Sequence, residues 1–228
     1  MAQPMMHLLI ADKIYAKKFS SFYSYGDFLL GSIAPDAVHV KENYTRELKD
    51  ISHYKFNSKS SISYFDTFFD KYYASKNKDF VVGYLIHLLS DMIWYHSIRV
   101  PFKERFLKTP AYNMSMNEAY YADCEQIEQL MFWEKDTSRI IKAIGNSKAY
   151  SLEGLIDSED VEAWKEKLIF EYNNKRKILL NTTYISDQQV RDYIADCAKK
   201  CTEYLEYLPQ LSVMDSCPSW HFDEEFRK

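Results

Sequence analysis

The chain has 228 residues and a mass of 27.1 kDa, with 46% hydrophobic and 16% aromatic residues, enough to bury one sizeable core and too apolar for disorder. A formal charge of −4 and a pI of about 5.9 argue against a protein whose main work is gripping nucleic acid through phosphates. Only 5 Gly and 6 Pro leave little material for a fold of many short strands and tight turns.

Helical periodicity dominates in chain order. His7 to about Phe22 reads as a helix with Leu8, Ile14, Tyr15 and Phe19 among its apolar positions. A turn at Ser24–Asp27 leads into "FLLGSIAPDAVH", a short helix or bend punctuated by Gly31 and Pro35. Residues 40–58 are polar and irregular and read as a surface loop. Ser60 to about Ser75 returns to helix, with aromatics three and four residues apart. Asp79 is expected to cap the next helix, which carries "GYLIHLLSDMIWYH", and Pro101 to start another short one. Met114 to Gly145 reads as one long helix ended by Gly145-Asn146. Two further helices follow, Ser158 to Leu180 and Asp187 to Leu208, then a polar tail over 209–228. The expectation is an all-α, multi-helix bundle forming a single domain over 1–228. Its metal-site half covers about 5–130, and its C-terminal helices about 150–208.

The N-terminal stretch lacks the charged start, apolar centre and cleavage site of a secretory signal. The most apolar stretch, 80–98, carries His87, Asp91 and His96, which would be costly in lipid. Cys124, Cys197, Cys201 and Cys217 form no C-x-x-C pair. These features point to a reduced, cytoplasmic protein without a transmembrane segment.

Polar residues in apolar or tightly turned settings carry the functional signal. His87 and Asp91 stand one turn apart on one helix face, a spacing that lets both grip one metal ion. The same spacing suits a buried histidine hydrogen-bonded to a carboxylate, so the pair alone leaves both readings open. His7 heads an apolar helix, Asp36 follows a proline, and His53 sits among aromatics. Together the five supply the imidazole and carboxylate mixture that zinc accepts.

The order His7, Pro35-Asp36, His53 and His87-x-x-x-Asp91 resembles the zinc-dependent phospholipase C family, related to the single-strand-specific zinc nucleases, over roughly residues 5–130. The resemblance implies an all-α fold and a first zinc held by Asp36, His53, His87 and Asp91. It implies a second zinc sharing Asp91 and taking His7, and Asp36 as the candidate catalytic general base. It also implies hydrolysis of a phosphodiester by water activated on the metal.

Three departures bear on the site. Secreted relatives use a processed N-terminal amine as a ligand, whereas six residues precede His7 here. His96 lies five residues after Asp91 where the family has a histidine at six, so it could join only through a kink or bulge near Trp94. The family's later His-x-x-x-Glu pair becomes Tyr121-x-x-x-Glu125, with Asp123 beside it. One or two zinc ions are therefore expected rather than three, with His39, His96, Asp123 and Glu125 as further metal-binding or supporting candidates.

The leading expectation is a metal-dependent phosphodiester hydrolase acting on a small phosphodiester or a phospholipid, with nucleic acid disfavoured. A non-catalytic metal-binding helical module and a zinc-dependent nuclease are the alternatives. A helical His-Asp phosphohydrolase is excluded, because no histidine is directly followed by aspartate.

Overall fold

A computed structural model of the chain describes residues 2–19, 24–55, 61–74, 77–134, 137–174 and 179–208. Among them are ten α-helices and no strand. The helices are α1 (Pro4–Ile14), α2 (Tyr25–Gly31), α3 (Arg46–Ser52), α4 (Ser61–Tyr72), α5 (Lys78–Trp94), α6 (Val100–Lys108), α7 (Met116–Glu134), α8 (Ser138–Gly145), α9 (Ser158–Asn174) and α10 (Asp187–Tyr207). A 3-10 turn over Ala34–Val40 and π-helical turns over Tyr15–Phe19 and Tyr95–Arg99 complete the list. None of the described helices is long and apolar enough to cross a membrane.

Two helices are buried on nearly every side. Residues Met5 to Ala11 of α1 and Phe80 to Ser90 of α5 are all buried, the mark of central rather than surface helices. Any polar side chain on either helix is therefore committed to the interior and needs partners there. His7 and His87 are both fully buried, and their rings stack at a centroid distance of 3.9 Å.

α2 crosses α5 at two glycines. A Cβ on Gly31 would fall 2.1 Å from the Phe80 carbonyl oxygen, and one on Gly83 would fall 2.1 Å from that of Phe28. Only bare backbone lets the helices approach this closely. The approach carries the chain straight from α2 into the 3-10 turn that bears Asp36, against the face of α5 that bears His87.

Four expectations about elements need correction. The helix expected from Ser158 to Leu180 ends at Asn174, and residues 179–180 are not helical. The polar stretch 40–58 contains α3, whose first turn is capped by the Thr45 hydroxyl accepting from the Leu48 amide at 3.2 Å. The long helix expected from Met114 to Gly145 is two helices, with Thr137 as the N-cap residue of α8. Asp79 lies in the first turn of α5 behind Asn77, and accepts from the Ser24 amide of the preceding segment. The final helix matches its expected span to within one residue and opens with a Ser186/Gln189 capping box. The polar tail, Cys217 and His221 lie outside the described residues.

Candidate metal centre

Five side chains converge from four elements: His7 of α1, Asp36 of the 3-10 turn, His53 at the end of α3, and His87 and Asp91 of α5. His7, Asp36, His53 and His87 are buried, and the Asp91 side chain is 12% exposed.

The hydrogen bonds fix each ring's tautomer. A carbonyl can only accept, so the His87 Nδ1–H donates to the Ser32 carbonyl at 2.9 Å and the His53 Nδ1–H to the Lys49 carbonyl at 2.9 Å. The Ser90 hydroxyl donates to the His87 carbonyl at 2.9 Å, so it accepts from the His7 Nδ1–H at 2.8 Å. All three imidazoles thus carry their proton on Nδ1 and turn a bare Nε2 lone pair inward. This is how metal-ligating histidines are commonly set, with the second nitrogen anchored to oxygen.

The inward atoms crowd together. His53 Nε2 and His87 Nε2 are 3.2 Å apart, two lone pairs facing each other. Nitrogens held tetrahedrally at zinc distances lie about 3.3 Å apart. His53 Nε2 is 3.6 Å from Asp36 Oδ1 and 3.6 Å from Asp91 Oδ2, while His87 Nε2 is 3.9 Å from Asp91 Oδ2. His7 Nε2 and Asp36 Oδ1 are buried without a hydrogen-bond partner among the described residues. A cation among these atoms would satisfy them, and the donor set fits zinc.

Asp91 faces two ways. Its Oδ2 turns to His53 and His87, while its Oδ1 lies 3.6 Å from His7 Nε2 and accepts the Ala2 backbone N–H at 3.1 Å. The chain ahead of α1 therefore reaches the site, even with six residues preceding His7.

Electrostatics suit ligation at neutral pH. Burial lowers the His7 pKa from 6.5 to about 3, assisted by His87; burial likewise lowers His53 to about 3, against the pull of Asp36. Both rings are neutral, as ligands must be. Burial alone would raise the Asp36 carboxyl, but the neighbouring His39, His87, His53 and Lys49 side chains hold it well below the usual carboxylate range. Asp91 is held down against its own burial by His87 and His7.

The remaining candidates stand differently. His39 Nε2 is 3.6 Å from Asp36 Oδ1 and 3.0 Å from the Lys49 ammonium, with its ring against Tyr44. The helix does bulge where His96 required it, in the π-helical turn Tyr95–Arg99, yet His96 belongs to neither group of converging ligand atoms. Asp123 is buried on α7, and its carboxylate accepts the backbone N–H groups of Thr183, Tyr184 and Ile185 at 2.9, 2.6 and 2.9 Å. It anchors the segment that leads into α10 rather than joining the cluster. Glu125 is exposed.

Sequence reading missed Lys49, a buried ammonium 3.6 Å from Asp36 Oδ1. It is one of 29 basic residues and lies in a stretch read as surface loop, so nothing marked it. Ser32, Ser52 and Ser90, which orient the rings or the chain beside them, were equally unmarked.

The sequence model of the family described as zinc dependent phospholipase C matches residues 6–209, well past the 5–130 of the sequence resemblance. No curated protein and no solved structure matches the chain.

Proposed function

We propose that this chain, which belongs to the zinc-dependent phospholipase C family, hydrolyses a phosphodiester, either a phospholipid or a small soluble diester, at the His7/Asp36/His53/His87/Asp91 cluster. One observation carries the reading: three buried imidazoles with Nδ1 spent on oxygen acceptors aim Nε2 at two carboxylates across gaps of 3.6–3.9 Å.

Asp36, His53, His87 and Asp91 would hold one zinc, and His7 with Asp91 would hold a second. Bound there, zinc supplies Lewis acidity toward phosphoryl oxygens and acidifies water. The protein's part is positioning and charge. Ser32, Lys49 and Ser90 fix the rings from behind, so little reorganisation accompanies reaction. Asp36 stays anionic; with Oδ1 turned to the metal, its second carboxylate oxygen would take a proton from a nucleophile beside it. The cluster opens to solvent at His39, whose side chain is 31% exposed, and at Asp91.

The test is elemental analysis of wild type and of His53→Ala, His87→Ala and Asp91→Ala, together with hydrolysis of a chromogenic diester and of phosphatidylcholine in mixed micelles. Zinc in wild type, lost from the three variants along with hydrolysis, is the expected result. A wild-type protein that stays metal-free when zinc is supplied would sink the reading. Zinc retained with no turnover on either substrate would leave a metal-binding module instead.

A further inference from the structure

Lys49 has a place the metal cluster does not explain. Its side chain is 7% exposed, carried on α3 only four residues before His53, so the helix that presents a ligand also presents this ammonium. An ammonium has three donors. Here one goes to His39 Nε2 at 3.0 Å, and Asp36 Oδ1 lies beyond hydrogen-bond reach at 3.6 Å. Burying a cation is costly, and a like charge beside a metal site weakens the metal. Such a group is hard to account for as packing.

Its charge suggests what it serves. The cluster itself is built of imidazoles and carboxylates, and Lys49 adds a cationic side chain against Asp36. A phosphodiester is an anion, and an ammonium beside the cluster offers its non-bridging oxygens a charge-assisted hydrogen bond. Lys49 and His39 also sit on the Asp36 side, where the cluster meets solvent through His39.

We propose that Lys49 is a substrate-binding residue: its ammonium, steered by His39, donates to a non-bridging oxygen of the phosphoryl group held at the cluster. This rests on the phosphodiesterase reading and assigns a residue to it. No bond to Lys49 forms or breaks in the reaction, and its role is to offset the charge on the phosphoryl oxygens.

The experiment uses zinc-loaded wild type, Lys49→Met and Lys49→Arg. Zinc affinity is measured by chelator competition, inorganic phosphate binding by calorimetry, and kcat and KM on bis(p-nitrophenyl) phosphate. In Lys49→Met, zinc affinity is expected to be unchanged or tighter, phosphate binding at least ten-fold weaker and KM raised. Lys49→Arg is expected to recover most of the loss, which a space-filling role would not predict. Lys49→Gln takes the place of Lys49→Met if circular dichroism shows that the latter does not fold. A wild type that binds phosphate and turns over while the neutral variant matches it overturns the Lys49 assignment alone. So does loss of zinc from the neutral variant, which would make Lys49 a support of the metal site. A wild type that holds zinc but neither binds phosphate nor cleaves the diester overturns the phosphodiesterase reading as well.

Discussion

Gly83→Ala probes the link between packing and ligation. The new Cβ would lie 2.1 Å from the Phe28 carbonyl oxygen and 3.0 Å from the Ser32 amide nitrogen, both backbone atoms of the α2 end. To reach even 3.0 Å from that oxygen, α2 and α5 must part by 0.9 Å. The Ser32 carbonyl rides on α2, so its 2.9 Å bond from His87 Nδ1 stretches to about 3.8 Å, too long to count as a hydrogen bond. An orphaned buried donor costs about 1–3 kcal/mol and overpacking about 1–3 kcal/mol, against a gain of about 1 kcal/mol in helix propensity. The net expectation is a loss of about 3 kcal/mol in urea denaturation of the metal-free protein. Freed of its anchor, His87 loses orientation, and zinc affinity should fall about 10–100-fold. Gly145→Ala is the control, since its Cβ would meet only Ile169 Cδ1 at an ordinary 3.7 Å. Unchanged stability and unchanged zinc affinity in Gly83→Ala, with the control also neutral, would refute the argument that this crossing sets the site.

Asp123→Ala should strip three backbone amides of their acceptor and cost about 2–4 kcal/mol, with zinc content intact. Loss of zinc in that variant would place Asp123 in the metal centre after all. His96→Ala should retain full zinc on elemental analysis, since no ligand cluster includes it. The metal-free protein should weaken in acid. His7 and His53 titrate near 3 when folded and near 6.5 when unfolded, so below pH 6.5 the unfolded chain binds more protons. Their contribution is complete above pH 6.5 and shrinks as pH falls, by about 2 kcal/mol per histidine at pH 5. Asp36 and Asp91, also depressed, extend the loss in the same direction below 3.8. Urea midpoints that stay flat from pH 7.5 to 5 would contradict the neutral, buried state of both rings.

Much of this was legible before any coordinates, and the reasons are physical. α1, α5 and α10 are long enough for apolar periodicity to rise above noise, and His87-x-x-x-Asp91 is visible because polar residues stand out in an apolar run. α3 was hidden because seven residues, mostly polar, show no such pattern, and only the Thr45 cap marks its start. The break between α7 and α8 falls in the polar run Glu134 to Arg139, which has neither Gly nor Pro and so reads equally as the solvated face of one continuous helix. Lys49 could not be found without α3, since its burial depends on a helix that reads as loop. Asp123 attracted attention by lying near the expected position of a ligand, but its partners are backbone amides sixty residues downstream, which carry no sequence signature.

The α10 helix packs on α1 and α5, and its Tyr193 hydroxyl donates to the Ser90 carbonyl at 2.9 Å, on the residue that orients His7. Nearer the start of the chain, the Met5 amide donates to Glu128, which also accepts from Tyr172 of α9. His7 is thus braced by α7, α9 and α10, helices made more than a hundred residues after it. During synthesis His53, His87 and Asp91 emerge long before those braces exist, so the five-residue cluster is complete only once α10 has docked behind His7.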